Sequence, residues 1–295
     1  MSNRRPVDLA SNLNVNVTRG NPADFPVTLQ PVFHDGPDGR KLIPARRAIV
    51  REDTGQAIAV VSDRYALLPH ARIIEVVEQA IGPLDVGPVP RGIYVDSHGA
   101  RMRALWKFPS LTQPVLGRDE ICPCVQVRNT YDGSARIAVH IGAFRFVCTN
   151  LAVGGGGAFA GGFVSIHAGE IPIEEVANQL ADYLTRFDQI VRLYRQWSEQ
   201  RAKPEVLDAV LKQSLKGRFT ELRDEMMSAV PSTVFEAYNR LTHHGTHSMR
   251  SARTAFDLIE RTNTAFQKAF PVIDAEIVEV SEDTVEQTAL QTIQT

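Results

Sequence analysis

CVQVRNTYDGSARIAVHI, residues 124–141, decides the class of fold. Two runs of alternating apolar and polar residues flank Asp132-Gly133, the strongest short-range hairpin signal in the chain. Side chains alternate across a strand, so Val125, Val127, Ile137 and Val139 share one kind of face. Gln126, Arg128, Arg136 and Ala138 fall on the other. The pattern predicts an antiparallel pair with one apolar and one polar, basic side.

Upstream, GIYVDSHGARMRALWKF (92–108) repeats the design, with Asp96-Ser97-His98-Gly99 at the turn. Residues 86–149 therefore read as a four-stranded meander, with FRFVCT (144–149) extending its last strand. Before it, residues 27–61 read as short strands broken by turns at HDGPDGR (34–40) and REDTGQ (51–56). Between these β regions the period changes: Ile73, Ile74, Val77, Ala80 and Ile81 recur at helical spacing, and Gly82-Pro83 ends the helix predicted over 68–82.

Beyond the meander, LAVGGGGAFAGGFV (151–164) is too rich in glycine for a stable helix and hardly suits a strand. From Pro172 to about Phe270 the chain reads as helical. Val176, Leu180, Leu184, Phe187, Ile190 and Tyr194 form an apolar stripe in a first helix of roughly 35–40 Å. Such a stripe offers more surface than one sheet face needs, so Phe187 and Tyr194 are expected to help pack subunits together. The class is α+β: a meander with a crossing helix, then a long helix and a helical C-terminal region. The division expected is a flexible arm (1–25), a mixed β domain with one helix (26–169), a helical region packing on it (170–270) and an acidic, disordered tail (271–295).

Composition excludes several classes. Of the 295 residues, 43% are hydrophobic and 22% charged, as in an ordinary globular protein. No apolar run is long enough to span a membrane and no secretory leader is visible, so a cytoplasmic protein is expected. Cys122, Cys124 and Cys148 make no disulfide framework; Cys122-Pro-Cys124 lies in a strand, where both thiols fall on one face as small buried hydrophobes. The Gly154–Gly157 tract lacks the Lys and Ser/Thr of a phosphate loop, and no nucleophile elbow or HExxH is present. His243, His244 and His247 lie in HHGTH without an intervening Glu or an obvious third ligand. No metal, cofactor or catalytic residue is assigned, and the protein is read as not an enzyme.

The net charge of −2 hides an asymmetry: +4 over residues 1–150, balance over 151–270, and six acids without a base after Lys268. Between 91 and 145 there are eight bases against four acids. Arg101, Arg103 and Lys107 share parity, so on a regular strand they project from one face, with Tyr94 and Trp106 assigned to the other. Tyr131, beside the hairpin tip, is the better candidate for stacking on bases. A basic sheet face that holds phosphates without reading bases suits sequence-independent binding of a single strand. A merely solvated face is the alternative.

Two segments carry a family resemblance: VSDRYALLP (61–69) followed by a helix, and NTYDGSARIAVHIGAFRFVCTN (129–150). They resemble the "phage/plasmid-like protein" family, a domain of unknown function of phages, plasmids and integrated elements. Its Asn-Ser-His-Asp-Gly-Ser-like hairpin matches Asn129 to Ser134, and its Arg-x-Val-Cys-x-Asn segment matches Arg145, Val147, Cys148 and Asn150. Thr130 and Tyr131 stand where Ser and His are common in that family. The order of elements is also similar to the β-β-β-α kernel of the RecT/Redβ, Erf and Sak annealing proteins of phages. That resemblance implies an ATP-independent protein that binds and anneals single-stranded DNA in recombination, as a homo-oligomeric ring or filament. A phage or plasmid exonuclease, or a host single-strand binding protein, would be a partner. Arg101, Arg103, Lys107, Arg128, Asn129, Tyr131, Arg136 and Arg145 would contact DNA, with Asp132 and Gly133 shaping the hairpin. The alternatives are an interaction protein of a mobile element without pairing activity, or a metal-dependent enzyme.

Overall fold

The computed structural model describes residues 21–134, 137–145, 150–153, 161–166, 173–215, 220–249 and 252–271. Residues 1–20 of the expected arm (1–25), residues 272–295 of the expected tail (271–295), the Gly154–Gly157 tract, Arg136 and Cys148 lie outside the described residues, while Ala23 and Phe25 at the end of the expected arm are buried.

Three strands open the fold: β1 (Val27–Gly36), β2 (Gly39–Arg51) and β3 (Ala57–Ser62), antiparallel in the order β1-β2-β3. Gly39 closes the first turn at φ 97°, a conformation that glycine adopts without strain. The outer half of this hairpin is exposed on both faces, and its cross-strand pair Phe33 and Leu42 is 41% and 54% exposed. Helix α1 (His70–Ile81) follows and buries Ile73, Ile74, Val76, Val77 and Ala80.

The second sheet holds seven strands, where sequence reading gave four. They are β4 (Arg91–Val95), β5 (Arg101–Lys107), β6 (Gln113–Leu116), β7 (Asp119–Thr130), β8 (Ile137–Arg145), β9 (Asn150–Val153) and β10 (Gly161–Ile166). The order is β10-β8-β7-β5-β4, with β6 on β7 and β9 on β8. Strands β9 and β10 form at the two ends of the glycine-rich stretch, against expectation. Pairing with β8 supplies their backbone hydrogen bonds whatever their side chains. In β7 and β8, Val127 faces Val139 and Val125 faces Ile141, and all four are buried in the main core.

That core continues into the helices: α2 (Ile173–Glu199), α3 (Pro204–Leu215), α4 (Thr220–Ser228), α5 (Val234–His247) and α6 (Ala252–Ala269). Tyr194, Trp197, Phe235, Tyr238 and Phe266 form an aromatic cluster with ring centroids 5.2–5.8 Å apart. Its polar atoms are satisfied: Trp197 Nε1 donates to the Phe270 carbonyl at 2.8 Å, and Tyr238 Oη donates to Asn263 Oδ1 at 2.6 Å. Phe187 and Tyr194, expected to pack against a neighbouring subunit, are instead buried inside this chain's own core. The stripe on α2 is occupied by β6, β10, α1 and α5, which leaves little of it for a second copy.

One polar contact joins the two sheets and α1. The backbone N–H of His70, the first residue of α1, donates to Tyr131 Oη at 2.8 Å, where Pro69 provides no side-chain cap. The His70 ring stacks on Tyr131 with centroids 4.0 Å apart. Asn129 Nδ2 donates to the Leu68 carbonyl and to His70 Nδ1, each at 2.9 Å. His70 Nε2 therefore carries the proton and donates to the Gly99 carbonyl at 3.1 Å. Gly99 has φ +74°, and a Cβ there would lie 3.1 Å from Phe25 Cζ, so glycine is required. Tyr131 in turn packs with Phe25, Ile49 and Val61, the small core beneath the three-stranded sheet.

Burial pushes the His70 imidazole down to about 4 from its ordinary 6.5, against the raising effects of the Gly99 carbonyl and Asp96. As pH falls through this window the unfolded chain takes up a proton that the folded chain does not, so stability decreases, by on the order of 3 kcal/mol at its lower end. His140, held down to about 3 chiefly by burial, acts in the same direction. Urea unfolding between about pH 7 and pH 4.5 should show this loss, and His70→Gln should flatten the slope. Stability that stays level or rises on acidification contradicts the assignment.

Candidate nucleic-acid interface

The register of the second sheet sets which side chains share a face. Arg103 of β5 stands opposite Tyr94 of β4 and Arg128 of β7, and Arg128 stands opposite Ala138 of β8. The next rung on the same face joins Gly92, Leu105, Gln126 and His140. The one beyond joins Lys107, Cys124 and Gly142, and Arg101 pairs with Thr130 at the opposite end. The other face carries Ile93, Met102, Ala104, Trp106, Val125, Val127, Val139 and Ile141, all buried. One side of the sheet is thus apolar and the other gathers Arg101, Arg103, Lys107 and Arg128.

Exposure differs along this basic row. Arg101 is exposed, and its Nε donates to Asp132 Oδ2 at 2.7 Å. A surface pair of this kind contributes only about 0–1 kcal/mol, so a phosphate can compete for the guanidinium. Arg103 is half-buried, and its Nη1 is buried without a hydrogen-bond partner among the described residues. Burial lowers its pKa, Tyr94 opposes the shift and the Arg101 charge adds to it. Lys107 is half-buried over the Phe144 ring, with Nζ 3.8 Å from the centroid. Burial lowers its pKa, against the raising influence of Cys122 and Cys124. Arg128 is half-buried, and its charge is the second cause, after burial, of the depressed His140 pKa.

Two expected DNA contacts are placed elsewhere. Tyr131 is fully buried, stacked on His70 and packed beneath the first sheet, so it offers no ring to a base. Asn129 is equally buried on the apolar side and holds the approach to α1. Asp132 and Gly133 do shape the hairpin: Gly133 has φ +68°, and Asp132 Oδ1 accepts from the Ser134 N–H at 2.9 Å. Arg136 lies outside the described residues, and Arg145 is described in its backbone alone. Tyr94, assigned from parity to the face away from Arg103, is on Arg103's face and 37% exposed. Parity holds along one strand, whereas matching two strands requires the register, which the turn fixes.

Sequence reasoning also missed Gln126 as anything beyond a member of the polar side. It is 1% exposed, and among the described residues neither Nε2 nor Oε1 has a hydrogen-bond partner. The two cysteines are buried on this face as expected; burial pushes the Cys122 thiol up to about 11 and raises Cys124 as well.

A concavity of about 650 Å³ lies where β6 meets α4 and α5 and is lined in part by Asp119, Glu225, Glu236, His243 and His244. His243 and His247 are ring neighbours on α5 at 4.5 Å. Among the described residues no three His, Cys, Asp or Glu side chains are grouped to hold a metal ion. Nor, among those residues, is any helix long and apolar enough to cross a membrane.

Both β-face thiols should resist alkylation in the folded protein near pH 8 and react once denaturant is added. Peptide mass spectrometry checks this, and rapid native labelling of Cys122 or Cys124 would show that these two thiols are accessible rather than buried.

No curated protein and no solved structure matches the chain. The DUF932 family, a domain of unknown function, matches residues 57–275, from the start of β3 to just beyond α6. The hairpin of β1 and β2 precedes the matched region, whereas the contact among His70, Asn129 and Tyr131 lies within it. The resemblance to a domain-of-unknown-function family, carried by VSDRYALLP and the Asp132-Gly133 hairpin, is thereby borne out: the chain belongs to the DUF932 family.

Proposed function

We propose that this protein binds single-stranded DNA along the polar face of its seven-stranded sheet. Without ATP, it would pair complementary strands in phage or plasmid recombination. The observation that carries the proposal is the register that aligns Arg101, Arg103, Lys107 and Arg128 on one face, with the exposed ring of Tyr94 opposite Arg103. Positive side chains spaced along a face follow a phosphate backbone, and an exposed aromatic ring stacks on a base of any identity. Nothing in this arrangement needs a nucleotide cofactor or a catalytic group. The order of elements, similar to that of the annealing proteins of phages, supports the pairing step by analogy of fold.

Assembly into a homo-oligomer belongs to the same proposal. With the α2 stripe buried internally, the exposed apolar side chains Phe33, Leu42 and Val60 of the three-stranded sheet offer a surface for a second copy.

Fluorescence anisotropy with a labelled oligothymidylate tests the proposal. Affinity should fall steeply with salt, each neutralised phosphate contributing about −0.7 to the log–log slope. Changing Arg101 and Lys107 together to Met should make that slope shallower by about 1.4 units if each holds one phosphate. A flat salt response, or no binding at low ionic strength, overturns the assignment.

A further inference from the structure

Among the described residues five large apolar side chains are exposed, and four of them fall in two places. Phe33, Leu42 and Val60 lie on the three-stranded sheet, and Leu116, 58% exposed, lines the cleft where β6 meets α4 and α5. Phe33 and Leu42 are cross-strand partners in the outer half of the β1–β2 hairpin. Arg40, two residues before Leu42 and opposite Asp35, shares their face, with its guanidinium 4.3 Å from the Phe33 ring centre. A bulge sets the direction of this outer half. Pairing passes from Pro31–Arg47 to Phe33–Leu42, so residues 43–46 of β2 stand against Val32 alone. Within the bulge Ala45 holds φ 56°, a left-handed conformation that is costly for any residue but glycine. Its carbonyl accepts from the Asp63 N–H at 3.2 Å, which ties the bulge to the end of β3.

The cleft matches the hairpin in character and in sign. Its volume of about 650 Å³ is lined by the buried Met226 and Phe235 and the half-buried Leu222, with Leu116 exposed. Around them stand Asp119, Glu225 and Glu236 against one base, Arg240, which is paired with Glu236. Residues 27–51 of the hairpin carry five bases against two acids. Exposed apolar groups framed by charge mark interaction surfaces, and opposite potentials select partners.

We propose that the β1–β2 hairpin of one copy docks in the β6–α4–α5 cleft of a second copy, with Phe33 and Leu42 on the apolar lining and Arg40 beside Glu225. Hairpin and cleft are different surfaces, so the joint is head-to-tail, and its repetition generates a closed ring or an open filament. Two hairpins meeting each other would oppose like charges. The segment 271–295, with six acids and no base, would be repelled by the acidic cleft. The inference rests on the homo-oligomer of the proposed function and is independent of its DNA binding.

The test measures particle mass by light scattering on gel filtration, without DNA. It compares the full-length parent, a hairpin variant (Phe33→Ser with Leu42→Ser) and a cleft variant (Leu116→Ser with Glu225→Lys). All four side chains are exposed, so both variants should melt like the parent. The parent should assemble, and each variant alone should have the mass of one chain. Mixed in equal amounts, the two variants should form a particle of twice that mass and grow no further, because each pair retains one working hairpin and one working cleft. A cleft variant that assembles like the parent shows hairpins pairing with hairpins and overturns the inference. A parent that stays a single chain at every concentration does so too. A hairpin variant that keeps the parent's mass but loses oligothymidylate makes the hairpin a nucleic-acid contact, and likewise overturns it. If the mixture doubles in mass while the parent ignores oligothymidylate, the joint stands and the DNA reading fails. If oligothymidylate binds but the mixture stays at one chain, the joint fails and the DNA reading stands.

Discussion

The fold turns on the stacked pair His70 and Tyr131. Tyr131 closes the end of β7, caps the start of α1 through its hydroxyl and packs with the core of the three-stranded sheet. His70 reaches the neighbouring hairpin at Gly99 while accepting from Asn129. Remove these contacts and three elements lose their common reference. α1 would lack a cap, the first sheet would lose part of its attachment beside the Tyr65–Thr130 hydrogen bond, and the β4–β5 turn would lose one of its ties to the β7–β8 turn. The imidazole must be neutral to make both ring bonds with this geometry, and its burial enforces that state.

A fixed α1 has a consequence on the far side of the sheet. Apolar side chains of β5, β7 and β8 are committed to the core shared with the helices, so the alternate side chains are committed to the opposite face. A slip of one residue in β5 would bury Arg101, Arg103 and Lys107 and expose Met102, Ala104 and Trp106. The basic row is therefore a product of core packing as much as of its own charges. Within it the groups are graded, from the exposed Arg101, through half-buried Arg103, Arg128 and Lys107, to the buried Gln126 and His140. On the proposed function, such a gradient would let outer charges attract a polyanion at long range and inner donors hold it at short range.

The hairpins at 96–99 and 132–133, both long-period switches to helix and the α+β class were legible because each has a local cause: turn chemistry, alternation or a 3.6-residue period. The burial of Tyr131 had no local signal, since its partners His70 and Phe25 are distant in sequence and only tertiary contact brings them together. Tyr94 was assigned to the wrong face because parity was carried from one strand to the next without a register. The stripe on α2 was visible, but the sequence could not show how many elements would share it. The family segments at 61–69 and 129–134 marked the two halves of the His70–Tyr131 contact without revealing that they meet.

The central claim, that a single strand lies on the polar face of the seven-stranded sheet, is tested most directly by photo-crosslinking to an oligonucleotide carrying 5-iodouracil, followed by peptide mapping. The account predicts adducts within residues 91–107, with Tyr94 as the principal site, because its ring is the exposed aromatic opposite Arg103. Adducts concentrated instead in α4 and α5, around the cleft lined by Glu225, Glu236 and His244, would contradict it.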